Sequence, residues 1–149
     1  MSRDGRTYLI LGGVASLSIA ALHVVIVAIG PQGYRFFGAA ELAPLAEQGS
    51  PVPALVTLAL AAMFALWGAW AFSGAGVIRR LALLRAGLLG IGGVYTLRGL
   101  FLLPELVLLI QGALDPPRGI IFSAGSLAVG LLYLVGAMMQ WRHMVGAAE

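Results

Sequence analysis

The chain has 149 residues, of which 60% are hydrophobic and only 10% charged, with a mean hydropathy of +0.98. Soluble domains carry about 25% charged residues, so this composition excludes a water-covered surface and indicates a protein embedded in a membrane. There is no cysteine and no lysine, which removes disulfides, thiolate metal sites, cysteine nucleophiles and the lysine of a phosphate-binding loop, while the nine arginines behind the +3 charge are too scattered for a nucleic-acid groove.

Crossing about 30 Å of hydrocarbon takes about 20 apolar residues of helix. The first such run, 8–29, is interrupted only by Ser16, Ser18 and His23 and ends at Gly30-Pro31, because proline cannot continue a hydrogen-bonded helix. It is longer than the apolar core of a secretory signal, about 7 to 15 residues, and is expected to stay in the mature chain. The loop 30–51 holds Tyr34-Arg35-Phe36-Phe37 and then 39–48, with Glu41, expected as an amphipathic segment lying at the membrane surface. The second span, 52–72, has no charge; Ser50-Pro51 opens it and Ser73-Gly74-Ala75-Gly76 closes it. A tight connection with Arg79 and Arg80 leads into the third span, 81–103, which carries Arg85 near one end and Arg98 near the other.

Continuing that helix to Leu114 would make it about 51 Å long, too long to stand upright in a bilayer. A bend is therefore expected at Pro104, with the apolar stretch after Glu105 at the membrane surface or folded back, inside a structured loop 104–118. The fourth span, 119–141, follows the cap and prolines of Asp115-Pro116-Pro117.

Arg3, Arg6, Arg79, Arg80, Arg85 and Arg142 fall on one side of this layout, and Arg35 and Arg118 on the other. By the positive-inside rule both termini are cytoplasmic. The expected fold is all-α: a single-domain, integral-membrane, antiparallel four-helix bundle in the inner membrane of a bacterial cell.

Small residues let helices approach closely in lipid, so their rows mark the expected contact faces. These are Gly12, Ser16 and Ala20; Ala61, Ala65, Ala69 and Ser73; Ala86, Gly90 and Gly93; and Ser126 with Gly130. His23 falls in the middle of the first row and is expected to face the bundle. Gly12-Gly13-Val14 matches Gly92-Gly93-Val94, but in so biased a composition such a repeat arises by chance.

His23 lies six residues from the end of its span, about 9 Å below the outer boundary, where an ionisable group needs a partner. It either binds a ligand or bonds to a neighbouring helix as a neutral imidazole. Arg98 cannot lose its proton, so it either snorkels to lipid phosphate or pairs inside the bundle, with Glu105 seven residues on or with Glu41. Tyr95, Tyr34 and Arg35 belong to the same outer layer, although tyrosines at that level are commonly interfacial anchors, as are Trp67, Trp70 and Trp141 near the inner ends. The sequence thus gathers His23, Arg98, Glu105, Tyr95, Arg35 and Glu41 as candidate ligand-binding residues on the outer side. Bis-histidine haem is excluded, since His23 and His143 lie about 20 Å apart in depth. No metal site, cofactor, catalytic set or transmembrane relay of acids is expected.

The stretch 30–38, the serine-glycine turn after the second span and Leu97-Arg98-Gly99 resemble small uncharacterised four-helix membrane proteins of bacteria, and the layout resembles DoxX-like proteins. Neither resemblance implies an activity or a functional residue. The leading expectation is a non-enzymatic accessory subunit or small binding protein with a polar outer pocket. Its partners would be the lipid bilayer, other membrane subunits or a second copy, and not nucleic acid. A small oligomeric transporter or channel would need a polar path through the inner half, where none is written. A membrane enzyme acting on a lipid or quinone headgroup would need His23 bonded to a glutamate or tyrosine beside a lipid-accessible cleft.

Overall fold

The structure is a computed structural model that describes residues 3–113 and 118–145, with side chains as far as residue 141. Asp115-Pro116-Pro117 and the side chains of Arg142 and His143 therefore lie outside the described residues. Among those described there are helices and no strands: α1 Arg3–Ile29, α2 Pro31–Phe36, a 3-10 turn Ala40–Leu42, α3 Ala43–Glu47, α4 Val52–Gly74, α5 Leu84–Gly99, α6 Leu102–Ile110 and α7 Arg118–Val145. Four stretches are long and apolar enough to cross a membrane: Arg3–Ile29, Val52–Gly74, Leu84–Ile110 and Arg118–Trp141. No more than 33% of any of these windows is buried, so most of their apolar surface faces outward, as a lipid solvent requires and water would not permit.

The chain divides into two compact units, Met1–Val14 with Ala69–Glu149, and Ala15–Gly68. In the first unit α5 and α7 run in opposite directions along a seam of close backbone contacts. Gly92 packs on Tyr133 and Leu134, Gly130 on the backbone of Gly92 and Thr96, and Gly99 on Leu127. A methyl group added at Gly99 would lie 2.5 Å from the Leu127 backbone, so only glycine permits this approach. The start of α1 joins by the same device, with Gly12 against Tyr133 and Leu9 against Gly136, and the end of α4 adds Phe72 on Gly13. Trp70 lies on Gly87, where a methyl would meet its ring at 2.5 Å, and Trp141 takes the Arg85 guanidinium 5.1 Å from its ring centre. Both tryptophans thus have specific contacts in addition to any interfacial role.

The expected inward rows hold for Gly12, Ser16 and Ala20, all buried, and fail for the third span. Gly90 and Ala86 are exposed and a Cβ at Gly90 or Gly93 would meet nothing. The buried row is instead Leu84, Leu88, Gly92, Tyr95 and Gly99, which mixes bulky side chains with the small ones.

The connection 75–83 is tied by one hydroxyl: Ser73 Oγ donates to the Arg79 carbonyl (3.1 Å) and accepts from the Leu81 amide (2.9 Å). The third span starts at Leu84, three residues later than expected, because Leu83 takes a left-handed φ of 51° that no helix tolerates. Its break also falls elsewhere than expected. Proline removes the hydrogen bond to the carbonyl four residues earlier and crowds it, so the interruption appears at Leu100–Phe101 and Pro104 itself sits in the first turn of α6. The Leu100 carbonyl accepts instead from the Leu103 amide at 3.1 Å, a tighter i to i+3 bond. Beyond the break Glu105 lies over Gly119, the continuation of the α5/α7 seam, so α6 extends along α7 and does not fold back.

In the second unit Gly30, with φ 77°, ends α1 and Pro31 begins α2 at once. The loop is built of short helices in place of one interfacial helix over 39–48. Tyr34 and Ala43 are buried with Ile26, and Leu22, Phe37, Leu42 and Ala46 pack around them, so the loop closes over the end of α1.

Candidate functional site

The six candidate residues are divided between the two units: Tyr95, Arg98 and Glu105 in the first, and His23, Arg35 and Glu41 in the second. In the first unit the seam fixes the levels. Gly99 of α5 stands beside Leu127 of α7, yet the Arg98 guanidinium reaches Ser123, whose hydroxyl accepts from Nη1 at 2.7 Å. The side chain therefore runs about 6 Å toward the start of α7, the length of one helical turn. Helical Cα–Cβ bonds of α5 tilt the other way, so this reach uses the full arginine stem, as a snorkelling cation does. Its guanidinium carbon stands 5.8 Å from the centre of the ring of Phe101, within the break.

Ser123 is fully buried and Arg98 exposed, so the serine holds one edge of the guanidinium while the rest faces outward. Of the alternatives for Arg98, the ion pair with Glu105 or Glu41 is not formed: the salt bridge among the described residues is Arg35 with Glu47. Arg98 thus spends one donor on a neutral hydroxyl and retains four.

Glu105 is half-buried, with Oε1 placed so that a Cβ on Gly119 would stand 2.8 Å away. Its Oε2 is buried without a hydrogen-bond partner, a state that costs about 1–3 kcal/mol for a polar atom and more for a charged one. Gly119 and Ser123 are four residues apart and share a face of α7, so the carboxylate and the guanidinium are held about 6 Å apart along it. Tyr95 is buried, with its ring tilted on Tyr133 at 5.9 Å between centres, and helps to pack the seam below this pair of charges.

In the second unit His23 is half-buried, its Nδ1 2.8 Å from the Ile19 carbonyl and its ring 5.0 Å from that of Phe64. A carbonyl only accepts, so Nδ1 donates and Nε2 is left without a protein partner. The bond goes to its own helix, neither to a neighbouring helix nor to the glutamate or tyrosine that acid–base chemistry would use. Arg35 is paired with Glu47, both about half exposed, and Glu41 is exposed. Tyr34 is core.

Two partners escaped sequence reasoning. Glu47 faces Arg35 across two short helices whose geometry no spacing rule anticipates. Ser123 had a signal: it stands four residues after Gly119 and seven before Gly130, in the same row. Ser126, singled out in its stead, bonds back to the Phe122 carbonyl of its own helix at 2.8 Å. No group of three or more histidines or carboxylates able to hold a metal occurs among the described residues.

Four helices of membrane-spanning length and apolarity are features of a membrane protein. No protein-family model matches the chain, and no curated protein or solved structure is similar to it.

Proposed function

We propose that the chain is a multi-pass protein of the inner membrane, an antiparallel four-span bundle with both termini cytoplasmic, that works without catalysis as an accessory subunit or small binding protein. The arginine distribution supports this orientation. Its ligand is an anionic or polar group held on the outer side by Arg98, with Glu105 the nearest carboxylate in sequence.

One observation carries the reading: Arg98, within a span, has a single hydrogen bond to the neutral Ser123 hydroxyl and no carboxylate partner. A guanidinium at such a level is stabilised only by an anion or by water, and four donors remain for phosphate or carboxylate oxygens. Native mass spectrometry of the purified full chain tests it. Anionic or phosphate-bearing molecules are expected to co-purify with the wild type and to fall at least tenfold in Arg98→Gln, about 1.4 kcal/mol of binding. Equal ligand content in the two proteins would overturn the proposal.

A further inference from the structure

Arg98 and Glu105 leave a specific gap between them. The guanidinium is fixed at Ser123 and the carboxylate at Gly119, one turn apart on the same face of α7. That separation is too wide for a direct ion pair, and none forms. Arg98 has one edge committed to the seam and the rest exposed, and Glu105 is half-buried with no cation beside it. Ser123 holds an edge of Arg98, and Gly119 lies against Glu105 Oε1, while Oε2 is buried with no partner. A simple anion would satisfy the arginine and be repelled by the glutamate. A simple cation would do the reverse. The group that satisfies both carries a negative and a positive charge about one helical turn apart, the positive end bearing N–H donors for the carboxylate.

Resting on the reading of Arg98 as an anion-binding residue, we infer that Arg98 and Glu105 together recognise a zwitterionic aminoalkyl phosphate, the phosphate on the guanidinium and the primary ammonium on the carboxylate, as presented by the headgroup of phosphatidylethanolamine. Phosphate ester and ammonium, two carbons apart, stand about one helical turn from each other, as Ser123 and Gly119 do along α7. The surroundings suit a lipid: Leu97, Phe101 and Leu103, next in sequence to the two charges, are exposed at 66%, 60% and 63%, and the Phe101 ring lies by the Arg98 guanidinium. The neutral trimethylated analogue, phosphatidylcholine, has the same charges but no N–H donor. Phosphatidylglycerol has the phosphate and no cation.

The full-length protein is exchanged into vesicles containing equal parts of these three lipids, extracted with mild detergent, and its retained lipid quantified by native mass spectrometry. The wild type is expected to retain phosphatidylethanolamine over each of the other two by roughly three- to tenfold, the worth of a partly screened charge-assisted hydrogen bond. In Glu105→Gln that preference disappears and phosphatidylglycerol rises, because the repelling carboxylate is gone. Glu105→Asp, which keeps the charge, retains a preference, and this separates recognition from misfolding. Soluble phosphoethanolamine that displaces the lipid where inorganic phosphate does not supports two-charge recognition of a free solute as well. No preference in the wild type, or an unchanged preference in Glu105→Gln, overturns the inference. The reading of Arg98 survives that result as long as Arg98→Gln still loses all three lipids, and it fails if Arg98→Gln retains them.

Discussion

Two arginines define the difference between the two units. Arg35 stands in a loop of short helices and has a carboxylate, Glu47, both side chains about half exposed. Arg98 stands in the middle of a membrane-length span and has only a hydroxyl. The better-paired arginine is the one that needs pairing less, because water and salt screen a surface charge whereas hydrocarbon does not. A charge left without a protein counter-ion inside an apolar span is the stronger sign of a ligand, and it is the reason for placing function at α5 and α7.

The most forceful way to break that contrast is to force the seam apart. Gly99→Val would place side-chain atoms on the Leu127 backbone and is expected to destabilise the protein by about 3 kcal/mol, read as a lower unfolding midpoint in detergent. The paired control, Gly90→Ala, adds a methyl into open space and should leave the midpoint unchanged or slightly raised. If the two variants behave alike, the seam does not position Arg98. A gentler test is Ser123→Ala, expected to cost about 1 kcal/mol of stability since the exposed guanidinium can swing to headgroups, and to weaken lipid retention less than Arg98→Gln does. The smallest effect belongs to the other arginine. A double-mutant cycle on Arg35→Ala and Glu47→Ala should give a coupling of about 0.5 kcal/mol that vanishes in high salt; a value well above 1 kcal/mol would erase the distinction between the two sites.

The spans were legible because length and apolarity suffice: the ends at Ile29 and the start at Val52 fall as the glycine and proline signals place them. Proline's influence was legible in kind and displaced by one turn in place, since the bond it removes belongs to the carbonyl four residues earlier. The inward face of α5 was not legible. Glycine and alanine occupy both sides of that helix, and the true row is decided by where α7 offers Leu127 and Leu134, which only the packed partner reveals. For the candidate site, the importance of Arg98 could be read from its charge within an apolar run. Its partner could not, because choosing Ser123 over Glu105 depends on how the chain is divided at Leu100–Phe101.

That division makes Arg98 and Glu105 passengers on different rods. An uninterrupted helix would fix their separation by its own pitch; across the two-residue joint it is α7, through Ser123 and Gly119, that sets it. A headgroup held by both would act as a splint across the joint, coupling the occupancy of a lipid site to the straightness of a transmembrane segment. Lipid composition would then be felt as a mechanical property of the span, and deuterium uptake at the amides of Leu100 and Phe101 is where that stiffening would register.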